Sequence, residues 1–176
     1  MWDPPSNHPL RRLFAGYAEQ TFETTFGVAD PDLIDYLAGL LCRFLHVDAI
    51  HRIKDLRGQR LEQVTQMVAE IAELPPGPTR RELHRHIGDF ALFWTGVYPE
   101  ALKRLKSVDR MDYFVDYCQQ GKTSYSIAGS FDDDPYREES AVLLRLANQF
   151  ELCAYGLQQV RREWERDETR LPKLFG

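Results

Sequence analysis

Apolar residues recur every three or four positions along most of the chain, a spacing that predicts amphipathic helices. The clearest case is the segment DPDLIDYLAGLLCRFLHV, in which Asp30 and Pro31 have the character of an N-cap and a first helical residue. Its apolar stripe, which should face the core, consists of Leu33, Ile34, Leu37, Leu40, Leu41, Phe44 and Leu45. The pattern therefore predicts one buried helix here.

Capping and helix-breaking residues predict where the other helices begin and end. Thr79 and Glu82 form the pattern of a capping box, in which the Thr79 hydroxyl accepts from a backbone amide and Glu82 reaches back. Gly121 is interpreted as the C-terminal cap of a helix that Asp109 begins, with Asp112 at its N3 position. The predicted helices are 9–26, a short segment near 48–56, 60–74, 79–97, 99–106, 109–121, and one long helix from Asp134-Pro135 to about Asp167.

Strand-type alternation and internal repeats are missing from the sequence, and the PPGP break after Leu74 is too short to separate domains. At 176 residues, the length is typical of one domain with a substantial core. The sequence therefore predicts an all-α fold, a compact bundle of six to eight helices in a single domain over residues 1–176. The helices over 80–97 and 136–160 should be central to the core.

The charge pattern argues against several classes of partner. The chain has 27 acidic and 22 basic residues, a net charge of -5, and the two signs are interleaved. A nucleic-acid binder or an anionic-membrane binder would instead concentrate Lys and Arg on one face. The longest apolar run is about half the ~20 residues of a membrane span, and the first residues do not resemble a signal peptide. We therefore expect no nucleic acid, no membrane contact and a cytoplasmic location.

Three cysteines, Cys42, Cys118 and Cys153, are widely spaced among apolar helical residues. An odd number at such spacing predicts buried thiols and neither a disulfide framework nor a zinc framework.

The stretch QQGKTSYSIAG contains Gly121-Lys122-Thr123, the triplet that ends a nucleotide-binding P-loop. The complete motif has another glycine five residues before this one, where the backbone wraps the phosphates. Here that position is Asp116, a carboxylate where phosphate would lie, and the flanking segments are helical. We therefore reject a nucleotide site and expect Thr123 or Ser124 to cap the segment that follows Gly121.

Metal sites are also weakly supported by the sequence. His84 and His86 would point about 160° apart on one helix, so they would not chelate one ion. The paired Glu-x-x-His motif of di-iron bundles does not occur. The acidic residues Asp109, Asp112 and Asp116, with FDDDP downstream, supply one half of the paired magnesium motif of prenyl-transfer enzymes. The sequence thus predicts no metal and no cofactor.

The helix around GDFALFWTGV is apolar on nearly all sides, so its polar residues should be partly buried. These are Asp89 and Thr95, and Gly88 and Gly96 indicate a close approach of other backbones. A buried carboxylate needs a partner, and Arg85 is the nearest candidate in sequence. A tyrosine hydroxyl or a facing Lys are alternatives, and Asp89 has either a structural or a functional role.

Two groups of residues are candidates for binding. A pocket around Asp89 and Glu100 would be lined by Phe93, Trp94, Tyr98, Tyr113, Tyr117 and Tyr125, although an aromatic core has the same composition. Arg80 and Arg81 occupy a first helical turn, where positive charge opposes the helix dipole. We favour the interpretation that both arginines are solvated and that the negative charge of Glu82 offsets their unfavourable effect. The alternatives are contact with the acidic segment 132–139, a partner protein, or a bound phosphate or carboxylate.

The segment GDFALFWTGVYPE, followed by DYFVDYCQQGKTSY and LANQFELCAYGLQQV, resembles a group of uncharacterised bacterial all-helical proteins. Their shared core is Gly-Asp-x-x-Leu-Phe-x-x-Gly-x-aromatic-Pro-Glu, and the resemblance extends over roughly residues 84–160. It implies a bacterial origin and a helical fold, and it carries no activity or cofactor. The positions it marks for mutation are Gly88, Asp89, Gly96, Pro99, Glu100 and Tyr125.

Two classes of function follow from the sequence. We favour a non-enzymatic binding or protein-interaction module, because no nucleophile-base pair, metal set or phosphate loop is present. The alternative is a helical small-molecule-binding protein or enzyme with the aromatic pocket around Asp89 and Glu100. The apolar LPKLF near the C-terminus would dock on a protein partner, on a second copy in a homodimer, or on its own core. A small-molecule ligand is also compatible with the sequence.

Overall fold

A computed structural model describes residues 4–44, 68–69, 71–104 and 113–168. All regular structure in these ranges is helical, which confirms the predicted all-α fold. No helix among the described residues is long and apolar enough to cross a membrane. Several predicted features lie outside the described residues: the segment near 48–56, most of the 60–74 helix, the caps Asp109 and Asp112, and the LPKLF segment.

Seven α-helices are present in the described part of the chain. The first four each begin at a proline, whose missing N–H would have no partner inside the helix. The first continues through a π-helical segment, Gln20–Thr25, so the predicted 9–26 helix is confirmed with a change of geometry at its end. The helices are α1 Pro9–Glu19, α2 Pro31–Phe44, α3 Pro78–Val97, α4 Pro99–Arg104, α5 Tyr113–Gly129, α6 Arg137–Asn148 and α7 Phe150–Glu168.

Helix α2 has the predicted cap and the predicted buried stripe. The Asp30 carboxylate accepts a hydrogen bond from the Leu33 amide at 3.2 Å, and Pro31 is the first helical residue. The stripe residues within the described range, Leu33 to Phe44, are buried in the core.

Helix α3 is central to the structure and packs mainly against α5 and α7. Every residue of 87–97 is buried, including Asp89 and Thr95, as the apolar surroundings predicted. The predicted capping box is wrong. Because the helix begins at Pro78, the Gly77 carbonyl accepts from the Arg81 amide at 3.0 Å and Thr79 already lies inside the first turn. Glu82 pairs with neighbouring arginines instead.

The interpretation of Gly121 as a helix cap is also wrong. Helix α5 continues through Gly121 to Gly129, so neither Thr123 nor Ser124 begins a new element. A Cβ at Gly121 would lie 2.6 Å from the Phe150 ring and 2.9 Å from the Ala91 Cβ. Gly121 therefore allows close packing in the middle of a helix.

The predicted long C-terminal helix consists of two helices. Helix α6 ends at Asn148, α7 begins at Phe150, and Gln149 between them has non-helical φ and ψ of -116° and 28°. The first of the two begins at Arg137, just after Asp134-Pro135. The break contains neither Gly nor Pro, so no helix-breaking residue marks it in the sequence.

Cys42, Cys118 and Cys153 are buried free thiols, as predicted. Burial raises the pKa of Cys153 to about 12, so this side chain stays a neutral thiol at physiological pH.

Candidate functional site

The Asp89 carboxylate is buried in the centre of the bundle and has three partners from two other helices. Its Oδ1 accepts hydrogen bonds from the hydroxyls of Tyr36 on α2 and Tyr125 on α5, at 2.7 and 2.8 Å. Its Oδ2 accepts from Arg43 Nη2 at 3.1 Å. The predicted tyrosine hydroxyl partner is therefore confirmed. This set of contacts stabilises a charge that would be costly to bury alone.

The positions of these partners follow from helix geometry. Tyr36 and Arg43 are seven residues apart, which places them on the same face of α2, two turns from each other. Tyr125 reaches Asp89 because Gly88, the residue before Asp89 on α3, has no side chain to exclude the tyrosine ring. A Cβ at Gly88 would lie 2.5–2.8 Å from carbons of the Tyr125 ring. The close approach predicted at Gly88 is therefore made by the aromatic ring of Tyr125 and not by another backbone.

Gly96 has the predicted close approach of another backbone. A Cβ there would lie 3.1 Å from the Ala154 carbonyl oxygen and 2.8 Å from the Leu157 Cβ, both on α7. Thr95 beside it satisfies its hydroxyl within its own helix, by donating to the Ala91 carbonyl at 2.8 Å. These two positions therefore have packing roles.

Arg85, the nearest candidate in sequence, is linked to Asp89 through Tyr36. Its Nε donates to the Tyr36 hydroxyl oxygen at 3.2 Å and also lies 3.2 Å from Glu139 Oε1 on α6. Its Nη1 lies 3.3 Å from Glu82 Oε2. Burial alone would lower the pKa of Arg85, but Tyr36, Asp89 and Glu139 together raise it. The guanidinium is therefore a permanent cation.

The two tyrosines that contact Asp89 stay protonated. Burial, and then the charge of Asp89, raise the pKa of both Tyr36 and Tyr125 well above the usual value. Protonated hydroxyls donate to the carboxylate and stabilise its charged form. Neither tyrosine is suited to act as a base at neutral pH.

A cleft of about 580 Å³ opens above this network. Four helices contribute to it: α1, α2, α3 and α6. Its floor includes Tyr36 and Arg43, which bind Asp89 from the cleft side. The lining residues are Arg11, Asp32, Asp35, Tyr36, Arg43, Arg85, Glu138, Glu139, Ala141, Val142 and Arg145.

Ion pairs connect the charged side chains of the cleft. Arg11 Nη2 lies 3.0 Å from Asp35 Oδ2, and Arg145 Nε lies 2.9 Å from Asp30 Oδ2 at the start of α2. Such contacts restrict the long arginine side chains to particular rotamers. The cleft therefore presents several guanidinium groups in fixed positions.

Arg81 is fully buried, so the favoured prediction of a solvated side chain is wrong for this residue. Its Nη2 lies 2.6 Å from Glu139 Oε2, and its guanidinium carbon lies 4.2 Å above the Tyr136 ring centre. The predicted alternative, contact with the segment 132–139, is confirmed. Arg80 Nη1 donates to the Leu74 carbonyl at 3.2 Å. Both arginines have structural contacts because the preceding loop and α6 pack over the first turn of α3.

The predicted aromatic residues are packed mainly with one another in the core. Phe93 and Trp94 have ring centres 5.8 and 6.3 Å from that of Tyr98. Tyr117 has its ring centre 6.4 Å from that of Phe90, and burial raises its pKa. Tyr113 is partly buried against the same core. Arg85, predicted as a partner of Asp89 and a candidate ligand-binding residue, does line the cleft.

Glu100 belongs to a second cluster, at the corner between α3 and α4. Its Oε1 accepts from Arg161 Nη1 at 2.5 Å, and the same nitrogen donates to the Val97 carbonyl at 2.6 Å. The Arg161 guanidinium carbon also lies 4.6 Å from the Tyr98 ring centre. Asp89 and Glu100 thus have different partners from different helices, and the described contacts join α7 to the α3–α4 corner at Glu100.

Sequence reasoning missed Tyr36, Arg43 and Arg11 as residues of the site. Arg43 carried a signal, since it lies between Cys42 and Phe44 in the most apolar of the helices that the structure describes. A charged residue in such a stretch needs a buried partner, and Asp89 was the other residue with the same need.

Among the described residues, no three His, Cys, Asp or Glu side chains are grouped so that they could hold a metal ion. Comparison of the chain with protein-family models, with curated proteins and with solved structures gave no match.

Proposed function

We propose that the protein is a non-enzymatic binding module that holds a small polar ligand in the charged cleft. The volume of about 580 Å³ is within the range of small-molecule sites. The observation that carries the proposal is the fixed arrangement of guanidinium groups on the floor, because such groups bind carboxylates and phosphates with defined geometry.

The buried network supports binding because it organises the floor before a ligand arrives. The guanidinium carbons of Arg43 and Arg85 lie 5.4 and 5.8 Å from the centre of the Tyr36 ring. The Tyr36 hydroxyl in turn is held by Asp89 and Arg85. A preorganised site loses less side-chain entropy when it binds, so more of the interaction energy appears as affinity.

The charge states of the same groups favour binding over proton transfer. The Tyr36 hydroxyl stays protonated and the Arg85 guanidinium stays charged across the physiological range. General acid-base catalysis needs a group whose pKa is close to the working pH. These two floor residues therefore support a binding site.

The cellular setting is proposed from independent features. Three free, buried cysteines fit a reducing compartment such as the cytoplasm. The GDFALFWTGVYPE core, through its resemblance to a group of bacterial helical proteins, supports a bacterial origin. A soluble cytoplasmic binding protein of a bacterium is consistent with both.

A pair of tryptophan substitutions on α6 tests this function. Ala141 is an exposed residue that lines the cleft, so Ala141→Trp should fill the cleft and leave its charged residues in place. Asn148, also exposed and on the same helix, is the control site. The measurement is the melting temperature of each protein with and without the small-molecule fraction of its own cells.

A ligand that binds the folded state raises its stability by mass action. We expect the wild type and Asn148→Trp to gain melting temperature in the small-molecule fraction, and Ala141→Trp to gain none. An equal gain in all three proteins, or no gain in the wild type, would contradict the proposed function.

A further inference from the structure

The cleft has its positive and negative groups at different depths. The side chains of Arg43, Arg11 and Arg85 are only 8%, 14% and 23% exposed. The carboxylates of Asp35 and Asp32 are 60% and 80% exposed. These three arginines therefore form the floor, and the rim is mainly acidic, because it carries Asp35 and Asp32, with Arg145, 37% exposed, 3.7 Å from Asp32. A ligand that fills the cleft meets opposite charges at its two ends.

Gly39 on α2 allows two floor arginines to converge. The point where a Cβ would stand at Gly39 lies 3.2 Å from Arg43 Nη1 and 3.3 Å from Arg11 Nη2. Two like charges held above one backbone position repel each other, and a ligand anion between them adds to the compensation that Asp89 and Asp35 supply. Both side chains are held in place, because Arg43 pairs with the buried Asp89 and Arg11 pairs with Asp35 at the rim.

Arg85 adds a donor to the same floor. Its Nε and Nη1 are engaged with Tyr36, Glu139 and Glu82, and its Nη2 has no protein partner among the described residues. A guanidinium has five N–H donors, so it can bind protein groups and a ligand oxygen together. The floor is therefore suited to an oxyanion, either a carboxylate or a phosphate.

The rim determines which oxyanion ligands can use this floor. Glu138, which is also exposed, is a third carboxylate of the rim beside Asp32 and Asp35. The chain as a whole carries a net charge of -5. A simple anion would be repelled by the rim carboxylates before it reached the arginines. A simple cation would be held at the rim and would bring no oxyanion to the floor arginines.

Resting on the proposed function, we propose that the cleft binds a small zwitterion, with its oxyanion against Arg43, Arg11 and Arg85 and its cation between Asp32 and Asp35. Each end of such a ligand meets the opposite charge. The ligand class is then an amino acid, an ω-amino acid or an aminoalkyl phosphate. The spacing between the two charged groups selects among them.

Isothermal titration calorimetry with defined probes tests this ligand class. The probes are the ω-amino acids from glycine to 6-aminohexanoate, which separate the charges by increasing lengths, and phosphoethanolamine, which replaces the carboxylate. Butyrate and butylamine are the matched controls with one charge each. We expect at least one zwitterion to bind about tenfold more tightly than either control, and its length to report the distance from floor to rim.

Two variants assign the ends of the ligand. Asp35→Asn removes a rim charge from a mostly exposed side chain and should abolish the preference for the zwitterion over butyrate. Arg85→Gln should weaken the binding of both the zwitterion and butyrate by about tenfold or more. A stronger response to phosphoethanolamine than to the ω-amino acids would identify phosphate as the oxyanion that the floor prefers, which also supports the proposal.

The outcomes separate this inference from the proposed function. If no zwitterion binds better than the single-charge controls, the inference is overturned. The proposed function survives that result when the small-molecule fraction still stabilises the wild type and not Ala141→Trp. If neither the probes nor the small-molecule fraction has any effect, both are overturned.

Discussion

Asp89 shows how a single buried charge organises its surroundings. Two tyrosine hydroxyls and one guanidinium, from α2 and α5, converge on its carboxylate. Arg85 then binds the outer side of Tyr36, so the network extends from the core to the cleft. The structural and functional interpretations of Asp89 are therefore compatible, because the network that stabilises the core also holds Arg43 and Arg85 of the cleft floor.

Replacing Asp89 with Asn tests the structural role. The variant keeps an acceptor for the tyrosines but leaves Arg43 buried without its counter-charge. We expect a loss of about 3 kcal/mol in the free energy of unfolding, and a melting temperature lower by roughly 10 °C. Thermal and urea unfolding measure both. Asp132→Asn, at an exposed position, is the control and should change stability by less than about 0.5 kcal/mol. Equal stabilities of the two variants would show that the Asp89 charge is not structurally paired.

His84 is a second buried polar residue, and it lacks a full set of partners. Its Nδ1 lies 3.5 Å from the Ser124 hydroxyl, and its buried Nε2 has no hydrogen-bond partner in the part of the chain that the structure describes. Burial, and then the charge of Arg80, lower the pKa of His84 below its usual 6.5. The neutral imidazole is therefore the form that the folded protein accommodates.

The lowered pKa of His84 predicts a dependence of stability on pH. Above pH 6.5, the histidine is neutral in both the folded and the unfolded chain, and its contribution is fully present. As the pH falls below 6.5, the unfolded chain takes up the proton first, so stability falls by at most about 1.4 kcal/mol per pH unit. Urea unfolding should show that the free energy of unfolding falls less between pH 7.5 and pH 5.5 in His84→Gln than in the wild type. The same loss in both proteins would refute this assignment.

At the scale of elements, glycines in the middle of helices determine how closely α3, α5 and α7 approach. Gly88 faces the Tyr125 ring, Gly121 faces Phe150, and Gly96 faces the backbone of α7. In each case a side chain or a backbone group of another helix occupies the space of the missing Cβ. The cost of glycine in a helix, about 1 kcal/mol relative to alanine, is offset by this packing.

A matched pair of glycine substitutions tests that role. Gly88→Ala would place a Cβ within 2.5–2.8 Å of the Tyr125 ring, so we expect the free energy of unfolding to fall by about 2–3 kcal/mol. Gly16, exposed in α1, has no atom of the described residues within 4 Å of its Cβ position, so Gly16→Ala should raise the free energy of unfolding by about 0.5–1 kcal/mol. Urea unfolding gives both values. A stability gain in Gly88→Ala would contradict the packing described here.

Much of the fold could be predicted from the sequence because its signals are local. The all-helical class, the Asp30 cap and the buried stripe of α2 follow from spacing and capping chemistry alone. The errors occurred where tertiary packing decided the outcome. Gly121 continues a helix because Phe150 and Ala91 need its space, and the chain breaks at Gln149 without a helix-breaking residue.

The site was predictable only in part, for the same reason. Asp89 was identified because its own helix is apolar on nearly all sides. Its partners Tyr36 and Arg43 lie about fifty residues away, on a helix that packs beside α3 only in the folded chain. The predicted aromatic pocket was composed from neighbours in sequence, whereas the cleft is composed from four separate helices.

At the scale of the whole molecule, the charged side chains join the helices around the cleft. Glu139 on α6 binds both Arg81 and Arg85 of α3, and Arg145 binds Asp30 at the start of α2. The cleft is therefore enclosed by helices that ion pairs hold at fixed separations. This arrangement supports a binding site whose shape is present before the ligand arrives.

The most direct test of the account is an NMR titration that observes the arginine side chains themselves. The side-chain Nε–H signal of Arg85, assigned by its loss in Arg85→Gln, is followed as the small-molecule fraction of the protein's own cells is added. Arg162, exposed on α7, is the internal control. We predict a saturable shift of the Arg85 signal and none for Arg162. Equal shifts of both signals, or no shift of Arg85, would contradict the claim that this cleft is the binding site.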